Sequence, residues 1–234
     1  AQEGVLMRPF FITSSGTGVG KTHLTTTLCW QLAQAGKKVT ALKPVISGYR
    51  PEDDSSDSAL ILKSLGFSPA PEMMEAISPW RFSAPLAPNM AAEREARPAP
   101  ALDALVAFCR EHASLENDFL LVEGVGGVMV PLSHEHTVLD WMVALDWPVI
   151  LVVGSYLGTI SHTLTAIEVL RQRGVSLHAL VVSESPQSDV PMDDTVKTFE
   201  RFVAMEIPII KLPRIDKPEP WAHMPPIRWL VDAA

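Results

Sequence analysis

Short runs of apolar residues alternate with longer segments of helical periodicity along the chain. The runs lack a regular alternation of apolar and polar positions, which is typical of strands that helices cover on both faces. Strands are predicted on this basis at 9–13, 38–43, 119–123, 148–153, 177–183 and 208–212.

The segments between these runs carry apolar residues at helical spacing. In the first, Leu24, Leu28 and Leu32 fall on one stripe, and Gly36 is a natural helix stop. Helices are predicted at 21–35, 58–65, 101–112, 138–145, 159–173 and 193–205. This alternation predicts an α/β fold with a doubly wound, mostly parallel sheet and helices on both faces.

A single domain is predicted over residues 8–234, because the sequence has no internal repeat and no recognisable linker. The Pro-rich stretches at 79–100 and 213–226 are expected to be long surface connections, parts of which could order around a ligand. Residues 1–7 lack the basic start and apolar run of a signal peptide. They could be flexible, or foreign residues ahead of a native start at Met7.

Composition narrows the range of partners. The formal net charge is −8, and Lys and Arg are scattered along a chain that is 47% apolar. Because nucleic acids and anionic membranes require a basic face, neither is expected as a partner. Cys29 and Cys109 lie far apart without metal-ligand spacing, which favours packed thiols in a reducing cytosol. No apolar stretch reaches the length that crosses a bilayer, so a cytoplasmic protein is expected.

The strongest motif is a glycine-rich loop at 15–22, SGTGVGKT, between the first strand and the first helix. Backbone N–H groups of such a loop point at phosphate oxygens, and the helix N-terminus adds its positive dipole end. Lys21 would reach the β- and γ-phosphates, and the Thr22 hydroxyl would ligate Mg²⁺. The strict motif has Gly in place of Ser15, and a turn that only joins strand to helix is the alternative. Gly-Lys-Thr at a helix start favours a nucleotide site of the P-loop NTPase type.

A second glycine run, EGVGG, begins at Glu123 after the third predicted strand. The carboxyl ends of parallel strands are where open α/β sheets bind ligands. Glu123 is therefore a candidate Mg²⁺ ligand, directly or through water. The alternative is a solvated glutamate in a turn.

Three polar residues between the end of the second predicted strand and the start of the next helix are further candidates. Lys43 would point its ammonium into the crevice of the phosphate loop and neutralise developing phosphoryl charge, unless it is an exposed lysine at a strand end. Ser47, in the turn after it, is a hydrogen-bonding group for a small substrate. Asp57 is either a second Mg²⁺ ligand or part of the acidic start of the next helix.

These motifs, in this order, resemble those of the dethiobiotin synthetase family over residues 10–213. The resemblance rests on TGVGKT at 17–22, KPVISG at 43–48, SD at 56–57, FSAPLAP at 82–88, VEGVGG at 122–127 and LGTISH at 157–162. It implies a homodimeric enzyme that uses ATP and Mg²⁺. Such an enzyme carboxylates 7,8-diaminopelargonate with CO₂ or bicarbonate, phosphorylates the carbamate and closes a ureido ring.

The resemblance also implies roles for individual residues. The catalytic residues would be Lys21, Lys43 and Thr17, and the metal ligands would be Thr22, Asp57 and Glu123. The substrate contacts would be Ser47, Lys43 and Gly126, with Gly158, Thr159 and Ser161 at a helix start near the dimer interface. The nucleotide contacts would be Gly18, Val19, Gly20, Lys21, Thr22, His23 and Asp57, with Ser183, Glu184, Leu212, Pro213 and Arg214 around the base.

The chain departs from the family pattern at several positions. Ser161 stands where the family usually has Asn, and Gly18 stands where some members have an acidic residue. Ser183 and Glu184 occupy the place of an Asn-Asp or similar pair that reads adenine. Because Ser183 has one short hydroxyl in place of an amide, a weak preference for one nucleotide base is expected.

Three other classes of function fit the sequence less well. A partition-type or metal-cluster-delivering ATPase usually has a second lysine early in the loop, where this chain has Gly16. A cobyrinate-type amidotransferase needs a glutaminase domain with a nucleophilic cysteine, for which the chain has neither the length nor the motif. A nucleotide-binding module without catalysis would leave Lys43 and Ser47 unexplained.

Overall fold

The computed structural model describes residues 7–113, 116–186, 190–203 and 207–232. The strands are β1 Arg8–Ser14, β2 Val39–Leu42, β3 Val45–Ser47, β4 Trp80–Phe82, β5 Phe119–Glu123, β6 Val149–Gly154, β7 Leu177–Ser183 and β8 Ile209–Leu212. The main sheet is parallel and has the order β2-β5-β1-β6-β7-β8, and a small second sheet pairs β3 with β4.

Helices occupy most of the connections between the strands. They are α1 Lys21–Gln34, α2 Asp57–Ser64, α3 Pro71–Ile77, α4 Pro88–Arg94, α5 Leu102–Glu111, α6 Val138–Leu145, α7 Thr159–Gln172, α8 Met192–Phe202 and α9 Trp229–Asp232, with a 3₁₀ turn at Pro220–His223. In the described parts of the chain, no helix combines the length and the apolar character that a membrane span requires.

Both faces of the main sheet are covered, as the apolar strands predict. Phe10 and Phe11 are neighbours in β1, so their side chains leave opposite faces of the sheet, and both are buried. Phe11 packs edge-on against Trp141 of α6, with ring centroids 4.9 Å apart. Every residue of β5 and β6 is buried as well. The predicted α/β fold with a parallel, doubly wound sheet is confirmed.

The second predicted strand, 38–43, is shorter in the structure. β2 ends at Leu42, and Pro44 cannot donate the backbone hydrogen bond that would continue the ladder. The chain resumes as β3 in the second sheet, so Lys43 lies between the two sheets. Ser47 is the last residue of β3 and does not lie in a turn, which corrects its predicted setting.

The Pro-rich stretch at 79–100 is not a surface connection, which corrects that prediction. It contains β4 and α4, and the side chains of Phe82, Ala91 and Ala92 are buried. A proline in the first turn of a helix costs no hydrogen bond, so Pro88 can begin α4. The periodicity gave no sign of α4, because this helix is short.

The second Pro-rich stretch, 213–226, is also packed against the domain. Trp221 is buried, and Gln31 of α1 fastens the segment that follows it. The Gln31 Oε1 atom accepts hydrogen bonds from the N–H groups of Ile227 at 2.8 Å and Arg228 at 3.0 Å. Gln31 Nε2 donates to Pro225 O at 2.8 Å. These bonds hold the segment against α1.

Three predictions reach beyond the described residues. The helix predicted at 193–205 corresponds to α8, and positions 204 and 205 lie outside the described residues. Residues 1–6 lie outside them too. The buried apolar side chains that are described form one contiguous core, and the domain span 8–234 stays a prediction.

Candidate functional site

The carboxyl ends of β1, β2 and β5 meet at one edge of the main sheet. β1 lies between β5 and β6, so the strands that follow it in the chain lie on both of its sides. Open parallel sheets bind ligands at such a point. The loop 15–22 lies here, with Gly18 at φ +71° and Gly20 at φ +107°. Both conformations favour glycine because a Cβ atom would strain them. Gly20 is the N-cap of α1, whose first N–H groups have no acceptor within the helix.

Lys21 reaches from the first position of α1 to the second glycine run. Its Nζ atom lies 2.8 Å from Gly126 O and 3.0 Å from Ser14 Oγ, and the side chain is buried. Burial, and then repulsion by the Lys43 ammonium, lower the pKa of Lys21 to about 8. The two glycine motifs of the sequence therefore share one site.

Thr22, Asp57 and Glu123 bring oxygen atoms together at the start of α1. Thr22 Oγ1 lies 2.7 Å from Asp57 Oδ1 and 2.9 Å from Glu123 Oε1. Lys43 Nζ lies 2.7 Å from Glu123 Oε1 and 2.9 Å from Asp57 Oδ2. Residues that are far apart in the sequence thus form one ionic cluster.

The cluster fixes the charge of its members. Burial alone would lower the pKa of Lys43, but the carboxylates of Asp57 and Glu123 outweigh it and raise that pKa. Burial would raise the pKa of Asp57, but the Lys43 ammonium and the Thr22 hydrogen bond bring it down to about 2. Lys43 is therefore a cation and Asp57 an anion at neutral pH.

This geometry decides two of the alternatives that the sequence left open, those for Lys43 and Glu123. Lys43 is 3% exposed, so the interpretation as an exposed lysine at a strand end is wrong. Glu123 is fully buried and is not a solvated glutamate. Asp57 fits both of its interpretations, because it is the first residue of α2 and its carboxylate also joins the cluster.

The sequence analysis missed Thr25, which belongs to the same cluster. Its Oγ1 atom lies 2.6 Å from Glu123 Oε2, and its side chain is fully buried in α1. A signal was present in the sequence, because residues four apart share a helix face and Thr25 follows Lys21 by that spacing.

A cavity of about 710 Å³ adjoins the cluster. Its polar lining consists of Thr17, Lys21, Thr22, Lys43, Ser47 and Asp57, together with Gly126. Ile46, Pro85, Leu86, Val125 and Val130 supply most of its apolar lining. The Ser47 Oγ atom is buried without a hydrogen-bond partner among the described residues. Because buried hydroxyls are rarely left unpaired, this atom keeps an unused hydrogen-bonding capacity at a residue that lines the cavity.

A second cavity, of about 200 Å³, meets the first at Gly18 and Gly20. Of the predicted nucleotide contacts, it is also lined by Val19, His23, Ser183, Glu184 and Arg214. The side chain of Ser183 packs directly against the phosphate loop, since a Cβ atom added to Gly20 would lie 2.8 Å from Ser183 Cβ.

Several groups at this second cavity are bound to the protein itself. Glu184 Oε2 accepts a hydrogen bond from Arg214 N at 2.8 Å, and His23 Nε2 lies 3.0 Å from Pro213 O. Burial lowers the pKa of His23 despite that contact. Leu212 is buried, and neither it nor Pro213 lines the cavity.

The predicted carboxylate contacts lie apart from both cavities in this chain. Gly158 is the N-cap of α7, with φ +94°, and Ser161 is exposed. The Thr159 hydroxyl is buried and donates to Gly154 O at 2.7 Å, which leaves its proton unavailable to a ligand. Leu157, beside them, is 89% exposed.

Comparison with known proteins identifies the family. A family model described as an AAA domain matches residues 8–218. A protein from Acidiphilium cryptum named ATP-dependent dethiobiotin synthetase is 43% identical over 230 residues, which cover 97% of this chain and 99% of that protein. A protein of the same name from Caulobacter vibrioides is 45% identical over 210 residues, covering 89% and 93%.

Solved structures share the fold at much lower identity. The septum site-determining protein MinD from Pyrococcus horikoshii has a TM-score of 0.53 and 16% identity, covering 94% of this chain and 87% of its own. A ParA family ATPase from Chlorobium tepidum has a TM-score of 0.52 and 17% identity, covering 90% and 85%. Such likeness shows the fold alone, and the partition-type alternative is not favoured. The chain belongs to the family of ATP-dependent dethiobiotin synthetases.

Proposed function

We propose that the chain closes a ureido ring on 7,8-diaminopelargonate, using CO₂ and ATP, and releases dethiobiotin, ADP and phosphate. The ionic cluster of Lys43, Asp57 and Glu123 carries this proposal, because it adjoins a cavity that also contains Lys21 and the unpaired hydroxyl of Ser47. A volume of about 710 Å³ lies within the usual range of small-molecule sites.

The reaction requires three bond-forming steps. One amine of the substrate adds to CO₂ and loses a proton, which gives a carbamate. A carbamate oxygen attacks the γ-phosphorus of ATP, and ADP leaves. The second amine then attacks the carbamate carbon, phosphate departs with the transferred oxygen, and loss of a proton completes the ring. Positioning and charge neutralisation would supply most of the acceleration, so the proposal needs no covalent enzyme intermediate.

Lys21 and Lys43 are the proposed catalytic cations, with Thr17 as a hydrogen-bonding group beside them. Both ammonium groups line the cavity, where they can neutralise charge that develops on phosphoryl oxygens. Loss of one such donor typically costs about 2.7–4 kcal/mol of transition-state stabilisation. The N–H groups at the start of α1, which have no acceptor within the helix, and those of the glycine-rich loop before it would bind the remaining phosphate oxygens.

Thr22, Asp57 and Glu123 are the proposed ligands of Mg²⁺. Asp57 Oδ1 lies 2.7 Å and Glu123 Oε1 lies 2.9 Å from Thr22 Oγ1. Hard oxygen atoms of this kind suit a cation that also keeps water and phosphate oxygens in its shell. The described ranges contain no group of three or more His, Cys, Asp or Glu side chains that could hold a metal ion by themselves, so the two carboxylates and Thr22 would depend on water and phosphate oxygens for the remaining ligands. When bound, Mg²⁺ would neutralise charge on the β- and γ-phosphates.

The substrate would lie along the larger cavity. The Ser47 hydroxyl is free to hydrogen-bond the reacting end, and Gly126 provides close approach to the backbone. The apolar side chains of Ile46, Leu86 and Val125 suit the alkyl chain of the diamine. The adenine base would occupy the second cavity beside Ser183.

A homodimer would complete the site. Gly158, Thr159 and Ser161 do not line the cavity of their own chain, so the start of α7 would bind the carboxylate of a substrate held by a second copy. The Thr159 N–H already donates to Tyr156 O at 3.1 Å, so this contact would come from the other N–H groups of the first turn. A neighbouring depression of about 470 Å³ is lined mainly by apolar side chains of 128–131 and by α7. This depression and the exposed Leu157 form an apolar surface that the second copy would cover.

A cytoplasmic, small-molecule enzyme is proposed, without a nucleic-acid or membrane partner. Cys29 and Cys109 are free and buried, and burial raises the pKa of each thiol to about 12. Unreactive thiols of this kind suit a reducing compartment. The net charge of −8 opposes binding to polyanions.

Release of ADP, measured with and without the diamine and bicarbonate, tests the proposal. A synthetase should release ADP only when both are present. A partition-type ATPase should hydrolyse ATP at a rate that does not depend on the diamine, and such a result would contradict the proposed function.

A further inference from the structure

The two carboxylate oxygens of Glu123 have different sets of neighbours. Oε1 is approached by Thr22 Oγ1 at 2.9 Å and by Lys43 Nζ at 2.7 Å. Oε2 is approached by Thr25 Oγ1 at 2.6 Å. Glu123 is fully buried at the end of β5, and Thr25 is fully buried in the second turn of α1. One oxygen therefore faces the proposed metal and phosphate groups, and the other faces the interior of α1.

The Thr25 hydroxyl differs from those of the next two threonines. Thr26 Oγ1 donates to Thr22 O at 2.8 Å, and Thr27 Oγ1 donates to His23 O at 2.7 Å, so both hydroxyls bond within their own helix. Thr25 Oγ1 lies 3.0 Å from Lys21 O and only 2.6 Å from the carboxylate. A hydroxyl has one proton, and the shorter contact to a charged acceptor is the stronger one. The proton of Thr25 thus links α1 to β5.

We propose that Thr25 is a positioning residue for Glu123. Its hydroxyl holds Oε2 so that Oε1 stays aimed at Thr22, where the metal would bind; this inference rests on the proposed function. Under that function Thr22 and Lys43 turn to the metal and the phosphates, whereas Thr25 keeps its contact with Glu123 throughout. Groups that hydrogen-bond a ligating carboxylate in this way usually set its orientation and its affinity for the metal.

The chain offers a matched control for this proposal. Thr25→Val keeps the shape of the side chain and removes the hydroxyl, and Thr25→Ser keeps the hydroxyl. Thr27→Val removes an equally buried hydroxyl half a turn further along the same helix, which bonds only to a backbone carbonyl. A purely structural role for Thr25 would make the two valine variants behave alike.

The experiment is a titration of each variant with Mn²⁺ in the presence of ADP, followed by electron paramagnetic resonance of the free ion. Thr25→Val should bind Mn²⁺ about 10-fold to 100-fold more weakly. Thr25→Ser and Thr27→Val should remain close to the wild type. ADP binding without metal should be unchanged in all three variants. If Thr25→Val does not fold, Thr25→Ala carries the same expectation.

Wild-type Mn²⁺ affinity in Thr25→Val, or an equal loss in Thr27→Val, would overturn the proposal. Failure of serine to restore the affinity would overturn it as well. Because the titration contains neither the diamine nor bicarbonate, its outcome is separate from the test of the proposed function, which depends on both.

Discussion

Lys43 Nζ and Glu123 Oε1 lie 2.7 Å apart, in an ion pair that joins the ends of the adjacent strands β2 and β5. Both side chains are buried, so water cannot replace either partner. Removal of one member of such a pair leaves the other charge uncompensated. The pair therefore links the proposed catalytic charge to the stability of the sheet edge.

Lys43→Ala is expected to reduce kcat/KM by roughly 100-fold to 1,000-fold, because a cation at the transferring phosphoryl group is lost. It should also lower the free energy of unfolding by about 3–5 kcal/mol, because the Glu123 carboxylate stays buried without its partner. Lys21→Ala should lose comparable activity. Steady-state kinetics and urea unfolding measure both effects.

Lys63→Ala is the control for the lysine variants. Lys63 pairs with the exposed Asp54 at 2.8 Å, and such surface pairs contribute about 1 kcal/mol or less. This variant should keep wild-type turnover. Near-native turnover of Lys43→Ala would contradict the proposed site.

Activity is expected to require Mg²⁺, and Asp57→Asn and Glu123→Gln should each raise the Mg²⁺ concentration needed for half-maximal rate. The amide replacements keep the side-chain size and remove the negative charge that attracts a hard cation. Asp54→Asn, close by in sequence and largely exposed, is the matched control. An unchanged Mg²⁺ titration in Asp57→Asn would leave Asp57 with only its role at the start of α2.

Discrimination among nucleotide bases is expected to be weak. Ser183 offers one short hydroxyl, and the Glu184 carboxylate is already bonded to Arg214 N, so few side-chain groups remain to read the base. Preference for ATP over GTP or CTP should be roughly 100-fold or less in kcat/KM, because larger ratios need buried polar groups that the wrong base leaves unpaired. Ser183→Asn should increase the preference. Strong ATP selectivity that Ser183→Asn leaves unchanged would show that other groups read the base.

A homodimer with its interface beside 157–162 is expected in solution. Leu157→Asp would place a charge on the most exposed large apolar side chain among the described residues, and should weaken the dimer and reduce activity together. Phe67→Asp, at a half-exposed apolar residue after α2, is the control and should stay dimeric. Sedimentation velocity at assay concentration distinguishes the states. A fully active monomer would exclude the proposed shared site.

The sequence predicted the central strands well, because uninterrupted apolar runs such as β5 and β6 leave few alternatives. The small sheet was not predictable in the same way. β3 and β4 have three residues each and pair across more than thirty positions, so neither produces a measurable period. Residues 85–88 line the larger cavity but were not predicted to belong to the site. The prolines predict a loop, and they do not indicate what the loop contacts.

The structure brings three of the predicted site residues together, but their electrostatics could not be predicted from the sequence. Lys43, Asp57 and Glu123 were each singled out by position at the end of a strand or the start of a helix. That they bury one another could not be read from spacing, because burial depends on the closing of β2 against β5. The spacing of Thr25 from Lys21 placed both on one helix face, but only the fold shows that this face meets β5.

The most direct test of the proposed reaction follows a labelled carbon. The protein is incubated with 7,8-diaminopelargonate, ATP, Mg²⁺ and ¹³C-bicarbonate, and the organic product is examined by mass spectrometry while ADP is measured in parallel. The proposed reaction predicts dethiobiotin that carries the label at its ureido carbonyl, with one ADP formed for each product molecule. Formation of ADP without labelled dethiobiotin would contradict it.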